Sequence, residues 1–121
     1  MEDIRNKDDI RSFVDEFYRK VRQDTLIGPV FAEVITGDWQ PHLDKMYAFW
    51  NGVLFGVPGF KGNPFARHAP LIIGQEHFDQ WLILFTETIE AGFSGPVAEE
   101  AVKRAHLIAQ VFVSKLTYRG E

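Results

Sequence analysis

The chain has four histidines, His42, His68, His77 and His106, and they are its most informative residues for chemistry. Imidazole binds metals and exchanges protons near neutral pH. None of the four belongs to the Glu-x-x-His pairs of a di-iron bundle or to a His-Glu-x-x-His zinc motif. The sequence has no cysteine and no Gly-x-Ser-x-Gly elbow. Disulfides, thiolate metal sites and the common nucleophilic hydrolases are therefore excluded or unsupported.

Their surroundings divide these histidines into two pairs. His77 and His106 stand beside charged or polar residues and are predicted to be solvated surface histidines. His42 falls on the apolar face of a predicted helix, and His68 lies in an apolar segment bounded by prolines. Each alone is more simply read as a buried structural histidine. Two of them flanking one aromatic-rich space match what a haem requires: an axial imidazole, an apolar slot and hydrogen-bond donors opposite.

The segment that contains His68, residues 57–74, interrupts the helical pattern. Prolines and glycines prevent a long helix there, while several phenylalanine, leucine and isoleucine side chains make the segment too apolar for disorder. We expect it to be held against a buried group. Pro64 and Pro70 bound a predicted helix of about one turn that aims His68.

Length and composition limit the class of protein. A chain of 121 residues predicts one domain, residues 1–121, and eleven phenylalanines favour a large apolar guest. The net charge of −4, without a basic run, argues against nucleic-acid binding. A polar N-terminus and the absence of a long apolar run predict a soluble cytoplasmic protein that does not enter a membrane.

Apolar residues at helical spacing predict an all-α fold, with no strand alternation. Asn6 and Asp38 are predicted N-caps. Tyr18 falls on the apolar stripe of the first helix, so its hydroxyl is carried inward. The expected helices are Lys7–Arg22, a short one from Pro29 to near Ile35, Trp39–Phe55, Gln75–Ala91, and a last one that starts at Ser94–Pro96 and ends near Tyr118.

The ordered set of these residues resembles the truncated haemoglobins, and best their group III. The resemblance is carried by Phe17-Tyr18 with Val21-Arg22, Gly28-Pro29-Val30-Phe31, His42, Phe49-Trp50, Phe60 with Gly62 and Pro64, His68, His77-Phe78, Trp81-Leu82 and Leu84-Phe85. It implies a truncated two-over-two globin-like helical sandwich that binds haem b, iron protoporphyrin IX. Phe60 departs from the tyrosine often found there, which removes one contact to a haem propionate.

The resemblance also implies a role for individual residues. His68 corresponds to the axial metal ligand and Phe31 to a wedge against the porphyrin. Tyr18 and Trp81 correspond to donors toward a diatomic ligand, and His42 to a gate on the same side. The remaining predicted haem contacts are Met46, Phe49, Trp50, Arg67, Ile108 and Phe112, with Arg67 facing a propionate.

The implied function is the binding of oxygen, nitric oxide, carbon monoxide or similar small ligands at a histidine-ligated iron. The family resemblance extends to nitric oxide dioxygenase or peroxidase-like detoxification, with Tyr18, Trp81 and His42 as ligand-stabilising residues and no side chain assigned as catalytic. An unidentified external reductase would supply electrons, since the chain has no flavin or nicotinamide fingerprint. The alternative is a non-haem helical sensor or interaction module with an apolar pocket.

Overall fold

The computed structural model describes residues 1–59 and 74–119, with side chains described as far as Ser114. Every regular element in those ranges is a helix, which confirms the all-α prediction. Predicted and observed helix ends differ by one or two residues. The predicted turn of helix at His68, and with it Arg67 and Phe60, lies outside the described residues. The helices are α1 (Lys7–Gln23), α2 (Gly28–Val34), α3 (Gln40–Phe55), α4 (Gln75–Gly92) and α5 (Pro96–Arg119).

Helix α1 lies at the centre of the fold and packs against α2, α3 and α4. Its N-terminus is capped as predicted, because the Asn6 side chain accepts a 2.9 Å hydrogen bond from the Asp9 amide. Acidic residues in the first turn complement the helix dipole. Apolar residues spaced by three or four positions bury one face of the helix: Ile10, Phe13, Val14, Phe17, Tyr18 and Val21.

Helix α2 begins directly against the end of α1. The Gly28 amide donates to the Asp24 carbonyl oxygen at 3.0 Å. A Cβ at Gly28 would lie 3.0 Å from the Val21 carbonyl oxygen, so only glycine permits this approach without a shift. Pro29 follows in the first turn, where its missing N–H leaves no helix bond unmade. This close approach places Phe31 beside α1.

Helix α3 begins one residue later than expected. The Asp38 carboxylate accepts a 3.0 Å hydrogen bond from the Gln40 amide, which is the capping chemistry predicted for Asp38. Trp39 occupies the cap position itself. Trp39 therefore sits at the boundary between the irregular chain of residues 35–39 and the helix.

The start of α5 is capped by a residue far away in the sequence. Asp3 Oδ2 accepts a 2.9 Å hydrogen bond from the Val97 amide, and Asp3 Oδ1 accepts one of 2.8 Å from the Ala98 amide. Gly95 makes room for this contact: its φ is +141°, and a Cβ there would lie 2.6 Å from Asp3 Cγ. The N-terminal segment is thereby fixed to the far end of the chain.

Aromatic rings form the core between α1, α3 and α4. Phe13 is 1% exposed and makes edge-to-face contacts with Trp50 at 5.9 Å and Phe85 at 5.8 Å between ring centroids. Trp50 and Phe85 in turn stack at 5.0 Å. Buried alanines on α5 permit its close packing against α4: Ala98, Ala101, Ala105 and Ala109. Within residues 1–59 and 74–119, no helix is both long and apolar enough to cross a bilayer.

Candidate functional site

Tyr18 and His42 meet at the junction of α1 and α3. Their ring centroids are 4.9 Å apart and the rings are nearly perpendicular, at 89°. Tyr18 is 7% exposed, whereas His42 is half-buried. Phe31 of α2 lies 6.1 Å from the Tyr18 ring, and Trp39 lies 6.2 Å from it. The structure thus brings together three residues that the resemblance assigned to one pocket, and it adds Trp39.

The Tyr18 side chain is a hydrogen-bond donor on a residue that is 7% exposed. Its hydroxyl makes no hydrogen bond to any residue in the described ranges 1–59 and 74–119. Burial raises the pKa of Tyr18, so the hydroxyl keeps its proton throughout the physiological range. An acceptor that enters this pocket can therefore receive a hydrogen bond from it.

Trp81 of α4 joins the same cluster through Phe17. The Phe17 ring lies 4.9 Å from Tyr18 and 5.7 Å from Trp81, with edge-to-face geometry in both pairs. Trp81 also stacks on Phe85 at 5.8 Å, with the ring planes 13° apart. Its indole N–H has no acceptor in the part of the chain that the structure describes. Tyr18 and Trp81 are therefore two hydrogen-bond donors on either side of one phenylalanine.

The remaining predicted haem contacts occupy different surroundings. Met46 and Phe49 are half-buried on α3. Trp50 is 4% exposed and packs in the core against Phe13 and Phe85. On α5, Ile108 is half-buried and Phe112 is 6% exposed and stacks on Phe78 at 5.6 Å. His68 and Arg67 lie outside the described residues.

The two histidines predicted to be solvated differ from each other. His106 is exposed, as expected. The His77 side chain is only 19% exposed, and its Nδ1 accepts a 3.0 Å hydrogen bond from the Gly74 amide at the start of α4. His77 is the third residue of the helix, and by accepting from the N–H of the cap residue it makes one half of a capping box. His77 is a capping residue and not a solvated one.

Sequence reasoning missed the contribution of Trp39 to this site. Its ring centroid lies 6.1 Å from that of His42, at 84°, and Arg22 Cζ lies 4.8 Å from the Trp39 ring. The i, i+3 spacing of Trp39 and His42 places them on one helix face and was the available signal. The cation–π contact with Arg22 has no such signal, because it joins two different helices.

The arrangement fits a flat apolar cofactor that carries a polar ligand. Half-buried apolar side chains along α3 leave a face that the protein covers only in part: Leu43, Met46, Phe49 and Val53. Next to this face lies the buried residue Tyr18, whose hydroxyl has no acceptor among the described residues. An all-helical fold with an apolar face beside a hydrogen-bond donor is the arrangement of a globin-type haem protein.

Comparisons with known proteins agree with that class. A model of the bacterial-like globin family matches residues 1–113, and the chain belongs to this family. It is similar to the group 3 truncated haemoglobin ctb of Campylobacter jejuni, with 35% identity over 119 residues that cover 95% of this chain and 94% of the relative. The group 2 truncated haemoglobin YjbI of Bacillus subtilis is 29% identical over 112 residues, covering 88% and 82%.

Solved structures show the same relation. The crystal structure of group III truncated haemoglobin from Campylobacter jejuni superposes with a TM-score of 0.87 and 33% identity, covering 96% of this chain and 95% of that one. The truncated oxygen-avid haemoglobin of Bacillus subtilis superposes with a TM-score of 0.76 and 25% identity, covering 89% and 93%. The protein is thus a truncated haemoglobin, similar to group III, that uses haem b and binds oxygen or similar small ligands.

Proposed function

We propose that this globin holds oxygen tightly and uses it to remove nitric oxide, or removes peroxide, with electrons from an external reductase. In the first reaction one nitric oxide, one oxygen molecule and one electron yield one nitrate ion. In the second, each hydrogen peroxide takes two electrons and two protons and yields two waters. The observation that carries the proposal is the hydroxyl of the buried residue Tyr18, which has no acceptor within the described ranges.

Haem would supply an iron at which a diatomic molecule binds and gains partial negative charge. His68 would hold the haem iron as neutral imidazole through one nitrogen, and its other N–H would donate to a backbone carbonyl that orients the ring. Phe31 and the half-buried face of α3, including Met46 and Phe49, would contact the porphyrin. Arg67 would pair with a propionate.

Tyr18 is the main donor in this proposal. Its raised pKa keeps the hydroxyl protonated, so it offers a hydrogen bond and no negative charge to the ligand. A hydrogen bond to a charged acceptor contributes about 1.5–3 kcal/mol. Tyr18 therefore slows oxygen release and retains the oxygen long enough for a second molecule to meet it.

Trp81 and His42 complete the ligand side of the pocket. Trp81 lies behind Phe17 and presents a second donor, which lacks a partner in the described part of the chain. His42 covers the Tyr18 ring edge-on, at 4.9 Å. We assign His42 to the control of ligand entry and of water in the pocket, because its ring lies beside the donor and belongs to a different helix.

Nitrate formation tests the proposed reaction. Haem-loaded protein is mixed with nitric oxide and oxygen under a chemical reductant, and nitrate is compared with the nitric oxide consumed. We expect one nitrate per nitric oxide, and a clearly lower turnover for Tyr18→Phe. Consumption no faster than in buffer would reject nitric oxide removal, and a peroxide-consumption assay on the same samples then decides whether the peroxide reaction stands. Oxygen binding is measured separately on those samples.

The axial ligand is tested by haem content. His68→Ala should purify with little haem and a weak Soret band even after haem supplementation, because the iron loses its protein ligand. His106→Ala is the matched control, since His106 is exposed on α5 and its loss should leave haem content unchanged. Full occupancy with an unaltered axial-histidine spectrum in His68→Ala would assign the ligand elsewhere.

A further inference from the structure

A groove of about 370 Å³ lies on the outer side of the Tyr18–His42 pair, between α1 and α3. Its lining combines charged and polar side chains with two rings of the ligand pocket. It is lined by Asp15, Arg19, Arg22 and Gln23 of α1, Gln40 and Leu43 of α3, and the rings of Tyr18 and Trp39. Tyr18 thus borders both the outer groove and the inner aromatic cluster.

Trp39 connects the groove with the pocket. Arg22 Cζ lies 4.8 Å from the centre of the Trp39 ring and belongs to the groove. The same indole contacts the His42 ring at 6.1 Å and the Tyr18 ring at 6.2 Å. Trp39 is only 9% exposed although it borders the groove. The indole therefore stands between an exposed cation and the two rings of the ligand pocket.

Arg22 differs from Arg19 in the side chains that it contacts. Arg19 pairs with the Glu16 carboxylate at 2.5 Å and also reaches the Gln23 side chain. Arg22 has no carboxylate within ion-pair distance in the described ranges, and its contact there is the Trp39 ring. An arginine over an indole face is attracted by the ring quadrupole. Its position is explained by Trp39 and not by an ion pair.

The backbone at Trp39 permits movement of the ring. Trp39 precedes the first residue of α3 and follows the non-helical residues 35–38, in which Gly37 has a φ of +78°. A side chain at such a boundary can swing without displacing the helix that carries His42. The indole is held by its packing in the buried core and by its contacts with Tyr18, His42 and Arg22, of which Arg22 is exposed.

We propose that Arg22 is a positioning residue that holds Trp39 closed over the Tyr18–His42 pair, and that the groove is the entry route for small ligands. This inference rests on the proposed ligand-binding function of that pair. Loss of an exposed cation–π contact raises the population of the open ring by about two- to fivefold. Ligands wider than a diatomic need a larger opening and are therefore more sensitive to it.

Ligand association after flash photolysis tests the gate in the haem-loaded protein. Arg22→Gln should bind carbon monoxide about two- to fivefold faster and n-butyl isocyanide faster by a larger factor. Dissociation should rise in parallel, because a gate changes both rates and leaves affinity nearly unchanged. Arg19→Gln removes a charge from the same groove without touching Trp39 and should match the wild type, and Arg22→Lys should restore part of the effect. Unchanged rates in Arg22→Gln, or equal acceleration in Arg19→Gln, would overturn the proposal.

A second measurement observes the ring directly. In protein labelled with 5-fluorotryptophan and saturated with carbon monoxide, the ¹⁹F signal of Trp39 should shift and broaden in Arg22→Gln, and remain as in the wild type in Arg19→Gln. A Trp39 signal unaffected by Arg22→Gln also overturns the gate. Tyr18→Phe separates the gate from the proposed donor role of Tyr18, because it should speed oxygen dissociation without changing association. An unchanged dissociation rate in Tyr18→Phe would reject the Tyr18 donor. The gate would still be judged by the Arg22→Gln result alone.

Discussion

Two regions of α1, five residues apart, use aromatic rings in opposite ways. Phe13 is 1% exposed and contacts Trp50, Phe85 and Phe93 edge-on. Tyr18 is also buried among rings, but its neighbours include His42, and its hydroxyl finds no acceptor in the described part of the chain. The first region packs ring against ring within the protein. The second retains a donor for a partner that the protein does not supply.

This difference separates packing from ligand binding on one helix. Aromatic pairs at these distances stabilise by buried area and by edge-to-face geometry in both regions. Of the two, only the Tyr18 region carries a hydroxyl, a donor that can bond to an entering ligand. We therefore expect substitutions near Phe13 to change folding and substitutions at Tyr18 to change ligand release.

The largest expected effect is that of Phe13→Ala. Removing this ring leaves a cavity bordered by Trp50 and Phe85, and the free energy of unfolding should fall by about 3–5 kcal/mol. Urea denaturation of haem-loaded protein, followed by circular dichroism, measures it. The Phe13→Ala protein that remains folded should release oxygen at nearly the wild-type rate. A small loss of stability together with fast oxygen release would contradict the division between the two regions.

Tyr18→Phe should show the reverse pattern. The lost hydrogen bond to the ligand speeds oxygen dissociation by about ten- to a hundredfold, since such bonds contribute about 1.5–3 kcal/mol. Stability should stay within about 1 kcal/mol of the wild type, because no hydrogen bond within the described structure is removed. Stopped-flow dissociation and urea denaturation on the same preparation measure both quantities.

Tyr47→Phe is the matched control for that substitution. The Tyr47 hydroxyl donates to the Asp15 carboxylate, outside the aromatic cluster around Tyr18. Its removal should lower stability slightly and leave oxygen dissociation unchanged. If Tyr47→Phe speeds release as much as Tyr18→Phe does, the effect is a general one of α1–α3 packing and the assignment of the donor is wrong.

Asp3→Ala should have the smallest effect on stability. Asp3 caps the start of α5 and lies in neither the Phe13 region nor the Tyr18 region, so its loss should change stability alone. Partial desolvation works against its charge, but hydrogen bonds from the Val97, Ala98 and Ile4 amides outweigh this and hold the pKa of Asp3 below its ordinary 3.8. Loss of such a cap costs about 1 kcal/mol. Because the folded pKa is depressed, the contribution is complete above pH 3.8 and is lost as pH falls through the folded pKa.

Urea titrations between neutral pH and pH 3 check that sign. The difference between wild type and Asp3→Ala should be constant near neutrality and narrow in acid. Asp3→Asn keeps one acceptor oxygen but does not titrate in this range. It should therefore lose part of the stability that the cap contributes, together with the pH dependence of that contribution. A difference that grows as pH falls would exclude the ionised Asp3 cap.

Local physics made much of the fold predictable from the sequence. The 3.6-residue period of Ile10, Phe13, Phe17 and Val21, together with the short-range cap at Asn6, defines α1 almost to the residue. The inward position of Tyr18 follows from the same period. Residues that resemble a truncated haemoglobin in order and spacing also pointed to the family, which the comparisons confirm.

Contacts between distant elements were decided only by tertiary structure. Asp3 caps a helix 94 residues later, and Arg22 covers Trp39 across two helices. No local pattern encodes such pairs, since they depend on how helices pack against one another. The sequence determined that Tyr18 points inward beside an apolar face. The tertiary structure decided that its ring meets those of His42 and Trp39 and that its hydroxyl has no acceptor among the described residues, because helix packing determines which polar atoms find partners.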